Sequence, residues 1–218
     1  MNDRPLLDRQ TIMSAFRLLA TRLQRKGAVA DVYLFGGGAM VVAFNEREAT
    51  RDLDARFTST GQVLREVQAV ADEMNLPQWW LNEQGTSYLP RDRDPNAVSV
   101  FDHPNLRVLR ASDRHLLAMK AAASRRNTKD IDDLATLALR LGLETPDEVI
   151  RVHGEVFGDV PLSAAKVEVI REALGSRSQI PTLSSLAVSR CRVCGRVLRS
   201  PESVASGIGP ICATRGIA

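Results

Sequence analysis

A short apolar run, residues 32–35, stops in three consecutive glycines, Gly36, Gly37 and Gly38. Residues 39–44 then continue in a helix-forming pattern. A second short run, 53–57 within Arg51-Asp-Leu-Asp-Ala-Arg-Phe57, carries Asp52 and Asp54 two residues apart. Strand period places both carboxylates on one face and turns Leu53 and Ala55 to the other. Two like charges on one face repel unless something neutralises them. Mg²⁺ suits such a pair, because it takes one or two carboxylates together with substrate phosphates. Glycines let the backbone approach a phosphate closely, and a helix N-terminus offers unpaired N–H groups. Strand, glycines, helix and acidic strand together describe a site for metal-assisted phosphoryl or nucleotidyl transfer. The alternative is a tight turn beside a solvated pair of acids, and spacing alone leaves both open.

The rest of the chain supplies a frame for such a site. Residues 10–26 repeat apolar side chains at Ile12, Met13, Phe16, Leu19, Ala20 and Leu23, which predicts an amphipathic helix stopped at Gly27. Residues 61–74 predict another, with Val63, Leu64, Val67, Val70 and Ala71 on one face. Residues 75–96 contain Pro77, Pro90 and Pro95 and read as irregular. A hairpin is expected from 97–101 and 106–109 around Asp102-His103-Pro104-Asn105. Helices follow at about 112–124, 128–141, 146–157 and 162–174, with Gly142 as a stop and Pro146 as a start. The Ser-rich stretch after Gly175 reads as a linker, 176–189. That divides the chain into a body, 1–175, a linker, and a Cys-bearing module, 190–218.

The motif Phe35-Gly-Gly-Gly-Ala-Met40, followed by Thr50-Arg-Asp-Leu-Asp54, resembles the nucleotidyltransferase superfamily. It looks closest to a bacterial branch of minimal nucleotidyltransferases that includes abortive-infection-type toxins. Trp80-Leu-Asn82, Leu106-Arg-Val-Leu109, Leu116-Leu-Ala-Met-Lys120 and Arg126-Asn-Thr-Lys-Asp-Ile-Asp-Asp-Leu134 fit the same pattern, in one order, over about 10–175. The fold this resemblance implies is α/β, a mixed sheet flanked by helices with a helical extension. It implies that Gly37 and Gly38 hold phosphates, with Thr50 and Arg51 beside the nucleotide. Asp52 and Asp54 would bind Mg²⁺, and Lys120 would reach the triphosphate or the acceptor. Active members commonly carry Ser where this chain has Gly38. They also have a third carboxylate on a later strand, for which Asp102 at the hairpin tip is the nearest candidate beside a plain turn.

Lys120 read without the resemblance is an ordinary helical lysine. Asp130, Asp132 and Asp133 open the next predicted helix, where acids complement the helix dipole and Asn127 or Thr128 can cap. Asp130 has Arg125, Arg126 and Lys129 as sequence neighbours to pair with, and it joins the candidate catalytic residues as support for the active-site helix. Of Trp79 and Trp80, one is expected buried and one partly exposed. No Ser-His-Asp or Cys-His arrangement is legible.

Charge and cysteine are concentrated at the C-terminal end. The chain has a net charge of +3, but residues 190–218 hold five arginines against Glu202, a net of +4, leaving −1 for the rest. The same segment holds all three cysteines, Cys191, Cys194 and Cys212. A CxxC knuckle with a third Cys in a chain without a legible secretion signal points to Zn²⁺ rather than a disulfide. The pattern resembles a short zinc-ribbon-like bacterial module, and no fourth Cys or His completes the site. The arginines around it suit nucleic-acid phosphates, or simply solubility. No apolar run is long enough to span a bilayer, so a cytoplasmic protein without membrane association is expected.

The sequence therefore predicts Mg²⁺-dependent transfer of a nucleoside monophosphate from an NTP to an RNA, tRNA-like, or protein acceptor. By resemblance the setting is a toxin with a cognate antitoxin, or phage defence. The alternative is a catalytically degenerate domain that binds nucleic acid or protein through its zinc tail.

Overall fold

Asp8 closes a two-residue strand, β1 (Leu7–Asp8), and its carboxylate accepts the Thr11 N–H at 2.7 Å. That cap opens α1 (Arg9–Arg25), whose Ile12, Phe16, Leu19 and Leu23 are fully buried, as the apolar spacing predicts. The computed structural model describes residues 6–44, 49–57, 61–125, 128–158 and 160–175. The linker and the Cys-bearing module, with Cys191, Cys194 and Cys212, lie outside the described residues.

The chain is α/β with a mixed sheet flanked by helices. After α1 come β2 (Ala30–Leu34), α2 (Gly36–Ala43), β3 (Ala49–Thr50), β4 (Leu53–Phe57) and α3 (Gly61–Met74). Then follow β5 (Leu81–Asn82), a 3₁₀ segment (Gln84–Tyr88), β6 (Val98–His103) and β7 (Leu106–Arg110). The main sheet runs in the order β5-β4-β2-β7-β6, while β1 and β3 form a separate ribbon. β2 lies antiparallel to β4 and parallel to β7, with Tyr33 opposite Arg56 on one side and Leu109 on the other. The expected hairpin is present as β6 and β7, although β6 runs on through Asp102 to His103. The stretch 75–96 is more regular than its prolines predict, since Leu81 and Asn82 pair with Leu53 and Asp54 as an edge strand.

The two faces of the sheet differ in kind. Ala30, Val32, Leu34, Leu53, Ala55, Leu106 and Val108 are buried, while Asp31, Tyr33, Asp54, Arg56 and Arg107 alternate with them. Apolar alternation of this sort commits one face to the core. Trp80 is fully buried and its indole N–H donates to the Val67 carbonyl at 2.9 Å, whereas Trp79 is 51% exposed. Phe16 packs against Trp80 and Phe101, with ring centroids 6.2 and 5.9 Å apart. Burial of each such side chain stabilises by roughly 1.5–3 kcal/mol. Arg22 joins α1 to α3 through Glu66 at 2.8 Å and Glu73 at 3.0 Å.

Four further helices, α4 (Asp113–Ala123), α5 (Asp130–Arg140), α6 (Pro146–Phe157) and α7 (Ala164–Gly175), pack on one another. Thr145 and Glu148 cap α6 reciprocally, with Pro146 in its first turn, where the sequence places the start. Ser112 caps α4. Asp94 ties the irregular segment to that cap: it accepts the Ser112 N–H at 2.7 Å, the Ser112 hydroxyl at 3.0 Å and the Tyr33 hydroxyl at 3.1 Å. His115 Nδ1 lies 3.2 Å from both Asp94 and Ser112. Ser112 and His115, three residues apart at the start of α4, thus meet the more distant Asp94 as a Ser, a His and an Asp. Ser112 is buried and its hydroxyl bonds the carboxylate itself, so the cluster clamps a loop to a helix start and presents no nucleophile. No described helix is long and apolar enough to cross a membrane.

Candidate active site

The polar side of the sheet reaches a cavity at the end of β2. The chain leaves β2 at Phe35, takes φ +61° at Gly36, and enters α2 without a side-chain cap. The first-turn N–H groups of α2 are thus left for another acceptor. β4 runs antiparallel beside this turn, and the Phe35 N–H donates to the Asp54 carbonyl at 3.0 Å. The Asp54 carboxylate is then wedged between two glycines. A Cβ at Gly36 would stand 2.8 Å from Oδ2, and one at Gly85 would stand 2.9 Å from Oδ1 and 2.8 Å from the Phe35 ring. A side chain at either position would displace the Asp54 carboxylate, and the positive φ at Gly36 favours glycine there besides. The Gly85 backbone N–H lies on the carboxylate side of Asp54 and favours its ionised form.

Asp52 lies on the same face of the acidic segment. Its carboxylate accepts the Asn82 side-chain N–H at 3.1 Å, and Asn82 Oδ1 accepts the Gln84 N–H at 2.9 Å. The edge strand β5 thereby fixes both Asp52 and the start of the 3₁₀ segment that delivers Gly85. Burial pushes the Asp54 pKa up, and the neighbouring Asp52 charge pushes it further. Lys120 and the Gly85 N–H oppose that rise without cancelling it.

The facing wall is helical. Lys120 on α4 is buried, with Nζ 2.9 Å from Asp130 Oδ1 and 2.7 Å from Asp133 Oδ2 on α5. Asp130 Oδ2 accepts the Arg125 backbone N–H at 3.2 Å and the Thr128 hydroxyl at 3.0 Å. Burial raises the Asp130 pKa, but the Lys120 charge and these donors outweigh it and hold the carboxyl below its usual value. Its ion-pair partner is thus Lys120, ten residues back, and Arg125 contributes only its backbone. Lys129 is the N-cap of α5 and makes no side-chain cap bond, while the Thr128 hydroxyl accepts the Asp130 N–H at 3.2 Å.

Gly36, Gly37, Asp54, Gly85, Lys120 and Asp130 line one cavity of about 370 Å³, together with Tyr88 and Arg125. That volume lies within the range of small-molecule sites. The structure so brings together Gly37, Asp54, Lys120 and Asp130 from four separate elements, whereas Asp52, next but one to Asp54 and bonded to Asn82, does not line the cavity. Gly38 is placed differently. It is buried against β4, where a Cβ would meet the Leu53 side chain and lie 3.2 Å from the Leu53 Cα. Helix packing, not a missing hydroxyl, accounts for glycine there. Thr50 is buried in β3 opposite Leu7, Arg51 is exposed, and neither lines the cavity. Asp102 sits opposite Arg107, which pairs with Asp31 early in β2, so it lies at the other end of the sheet from Gly36. Gly85, Asn82 and Tyr88 come from the irregular stretch, where only the Trp80-Leu-Asn82 pattern pointed to the site.

The donor set fits a hard divalent cation. Two oxygen donors share a face, and at half-buried Asp54 burial and the Asp52 charge together disfavour the ionised form that a bound cation would favour. Among the described residues no three His, Cys, Asp or Glu side chains gather as a metal cage. Asp52 and Asp54 would therefore hold Mg²⁺ together with oxygens from a ligand, which is how that ion is commonly bound.

Residues 182–215 match a family of unknown function (DUF6011), a span that includes Cys191, Cys194 and Cys212. No curated protein and no solved structure matches the chain.

Proposed function

We propose that the cavity binds an NTP with Mg²⁺ and transfers its nucleoside monophosphate to an acceptor hydroxyl on RNA or protein. The observation that carries this reading is the Asp54 carboxylate. It is held between Gly36 and Gly85, its pKa is raised by burial and by Asp52, and it lines a nucleotide-sized cavity together with Lys120. Bound Mg²⁺ would supply charge neutralisation at the phosphates and at the departing pyrophosphate. The protein's own groups do the rest. The N–H groups of Gly36 and Gly37 orient phosphate oxygens at the start of α2. Lys120, fixed by Asp130 and Asp133, adds a directed positive charge. Tyr88, 41% exposed at the cavity, offers a ring for base stacking.

Incubation with each labelled NTP, Mg²⁺ and total cell RNA or protein tests this. Label should pass to a macromolecule with the wild-type chain and not with Asp52→Ala/Asp54→Ala. If no acceptor is labelled while the protein still binds RNA, the enzymatic reading fails. The second reading, a non-catalytic binding module, then stands. The observation in its favour is that Lys120 already satisfies two carboxylates. A toxin or phage-defence role, relieved by an antitoxin, belongs to the first reading and expects growth arrest that depends on Asp52 and Asp54. Zn²⁺ on Cys191, Cys194 and Cys212 is the accompanying proposal. Elemental analysis should find zinc in the wild-type chain and a loss in Cys194→Ser.

A further inference from the structure

The charged side chains that line the carboxylate cavity, among the described residues, are Asp54, Lys120, Arg125 and Asp130. Acids and cations are equal in number, so engagement decides what the cavity offers a ligand. Lys120 Nζ lies 2.9 Å from Asp130 and 2.7 Å from Asp133, which shares its charge between two carboxylates. Arg125 is exposed, and its guanidinium makes no hydrogen bond or ion pair among the described residues.

The backbone of Arg125, by contrast, is fixed on both sides. Its N–H donates to Asp130 Oδ2 at 3.2 Å, and its carbonyl accepts the Thr128 hydroxyl at 2.8 Å. Ser124, just before it, is buried at the C-terminal end of α4, and its N–H donates to the Lys120 carbonyl at 2.8 Å. The carboxylate that holds the Lys120 ammonium thus also holds the stem of Arg125. One wall of the cavity carries two cations on an anchored backbone, one neutralised and one not.

That difference bears on how the cavity meets a phosphate chain. With Asp130 and Asp133 on Lys120, and Asp54 opposite, the cavity is acidic until a cation enters. Mg²⁺ at Asp54 offsets only part of the charge of a nucleotide's phosphates, and the N–H groups of α2 take oxygens without bringing a full charge. The remaining anionic oxygens need a cation in the same cavity. Among the described residues that line it, Arg125 is the cation that no carboxylate holds. A guanidinium is a planar fork that takes two oxygens of one phosphate and stays charged at any working pH.

We propose that Arg125 binds the phosphate chain of the nucleotide and is the residue by which the cavity prefers a nucleoside triphosphate to a monophosphate. The inference rests on the nucleotide reading for the ligand, and adds the residue that discriminates by phosphate charge.

The test is isothermal titration calorimetry of the full chain with Mg²⁺. The probes are non-hydrolysable analogues of the four NTPs, the four NMPs, and inorganic tripolyphosphate. Arg125→Ala should weaken the best-bound triphosphate about tenfold or more, the scale of a lost charge-assisted contact. The matching monophosphate should be nearly unaffected. Arg125→Lys should fall between wild type and Arg125→Ala, since it keeps the charge and loses the fork. The urea midpoint should not move, because alanine keeps both backbone hydrogen bonds.

Triphosphate binding by Arg125→Ala equal to wild type overturns the proposal and leaves the nucleotide reading intact. An equal fold loss for triphosphate and monophosphate also overturns it, since Arg125 would then only support the shape of the site. If the wild type binds tripolyphosphate through Arg125 but binds no nucleotide, Arg125 stands as a polyphosphate-binding residue and the nucleotide reading fails. A wild-type chain that binds none of the probes removes both.

Discussion

The two walls of the carboxylate cavity each present a cluster of acids and treat them in opposite ways. On the helical wall, Asp130 and Asp133 close on Lys120, and Asp130 is held below its usual pKa. On the sheet wall, Asp54 and Asp52 have no ion-pair partner among the described residues, and the Asp54 pKa is raised. The first arrangement stabilises the fold. The second costs stability, and a chain keeps such a feature when a ligand offsets it. Charge removal should therefore have opposite consequences on the two walls.

Lys120→Met is expected to have the largest effect. It leaves Asp130 and the buried Asp133 without their cation, a loss of about 3 kcal/mol, read from urea unfolding. Gly85→Ala comes next, since its Cβ meets both the Asp54 carboxylate and the Phe35 ring. Overpacking of this kind costs about 2 kcal/mol, and the same variant should lose Mg²⁺-dependent NTP binding.

Asp130→Asn should lose about 1.5 kcal/mol at neutral pH, the scale of a charged hydrogen bond. Because the folded pKa of Asp130 is lowered, its contribution is present above the ordinary carboxylate value of 3.8 and fades as pH falls through the lowered value. Denaturation of the variant and wild type should therefore converge in acid. Asp54→Asn runs the other way. With the folded pKa raised, the ionised form is a penalty that is full above that raised value and absent below 3.8. The metal-free variant should be more stable than wild type at neutral pH, by a gain of no more than about 1 kcal/mol given partial solvent screening. The gain should vanish on acidification. A destabilised Asp54→Asn would erase the contrast between the walls.

The elements with strong periodicity were legible in the sequence. Residues 61–74 form α3 with the bounds the apolar spacing predicts, and the alternation around Leu53 and Ala55 placed Asp52 and Asp54 on the polar face. Elements that depend on distant partners were not. β5 is two residues long and exists because Leu53 and Asp54 pair with it, so no local period announces it. Gly85 reads as one more loop glycine until Asp54 is seen against it. Asp130 has three basic neighbours in sequence, yet the α4–α5 packing gives it Lys120. Gly38 looked like an altered phosphate contact, and its place against Leu53 shows a packing constraint instead.

Cation binding at the sheet wall is the claim on which the comparison turns. Mn²⁺ can stand in for Mg²⁺, and its paramagnetic signal reports free and bound ion in the presence of a non-hydrolysable NTP. The account expects Mn²⁺ binding that needs the nucleotide and falls at least about tenfold in Asp54→Asn. Equal binding by wild type and Asp54→Asn, or no binding by either, would contradict it.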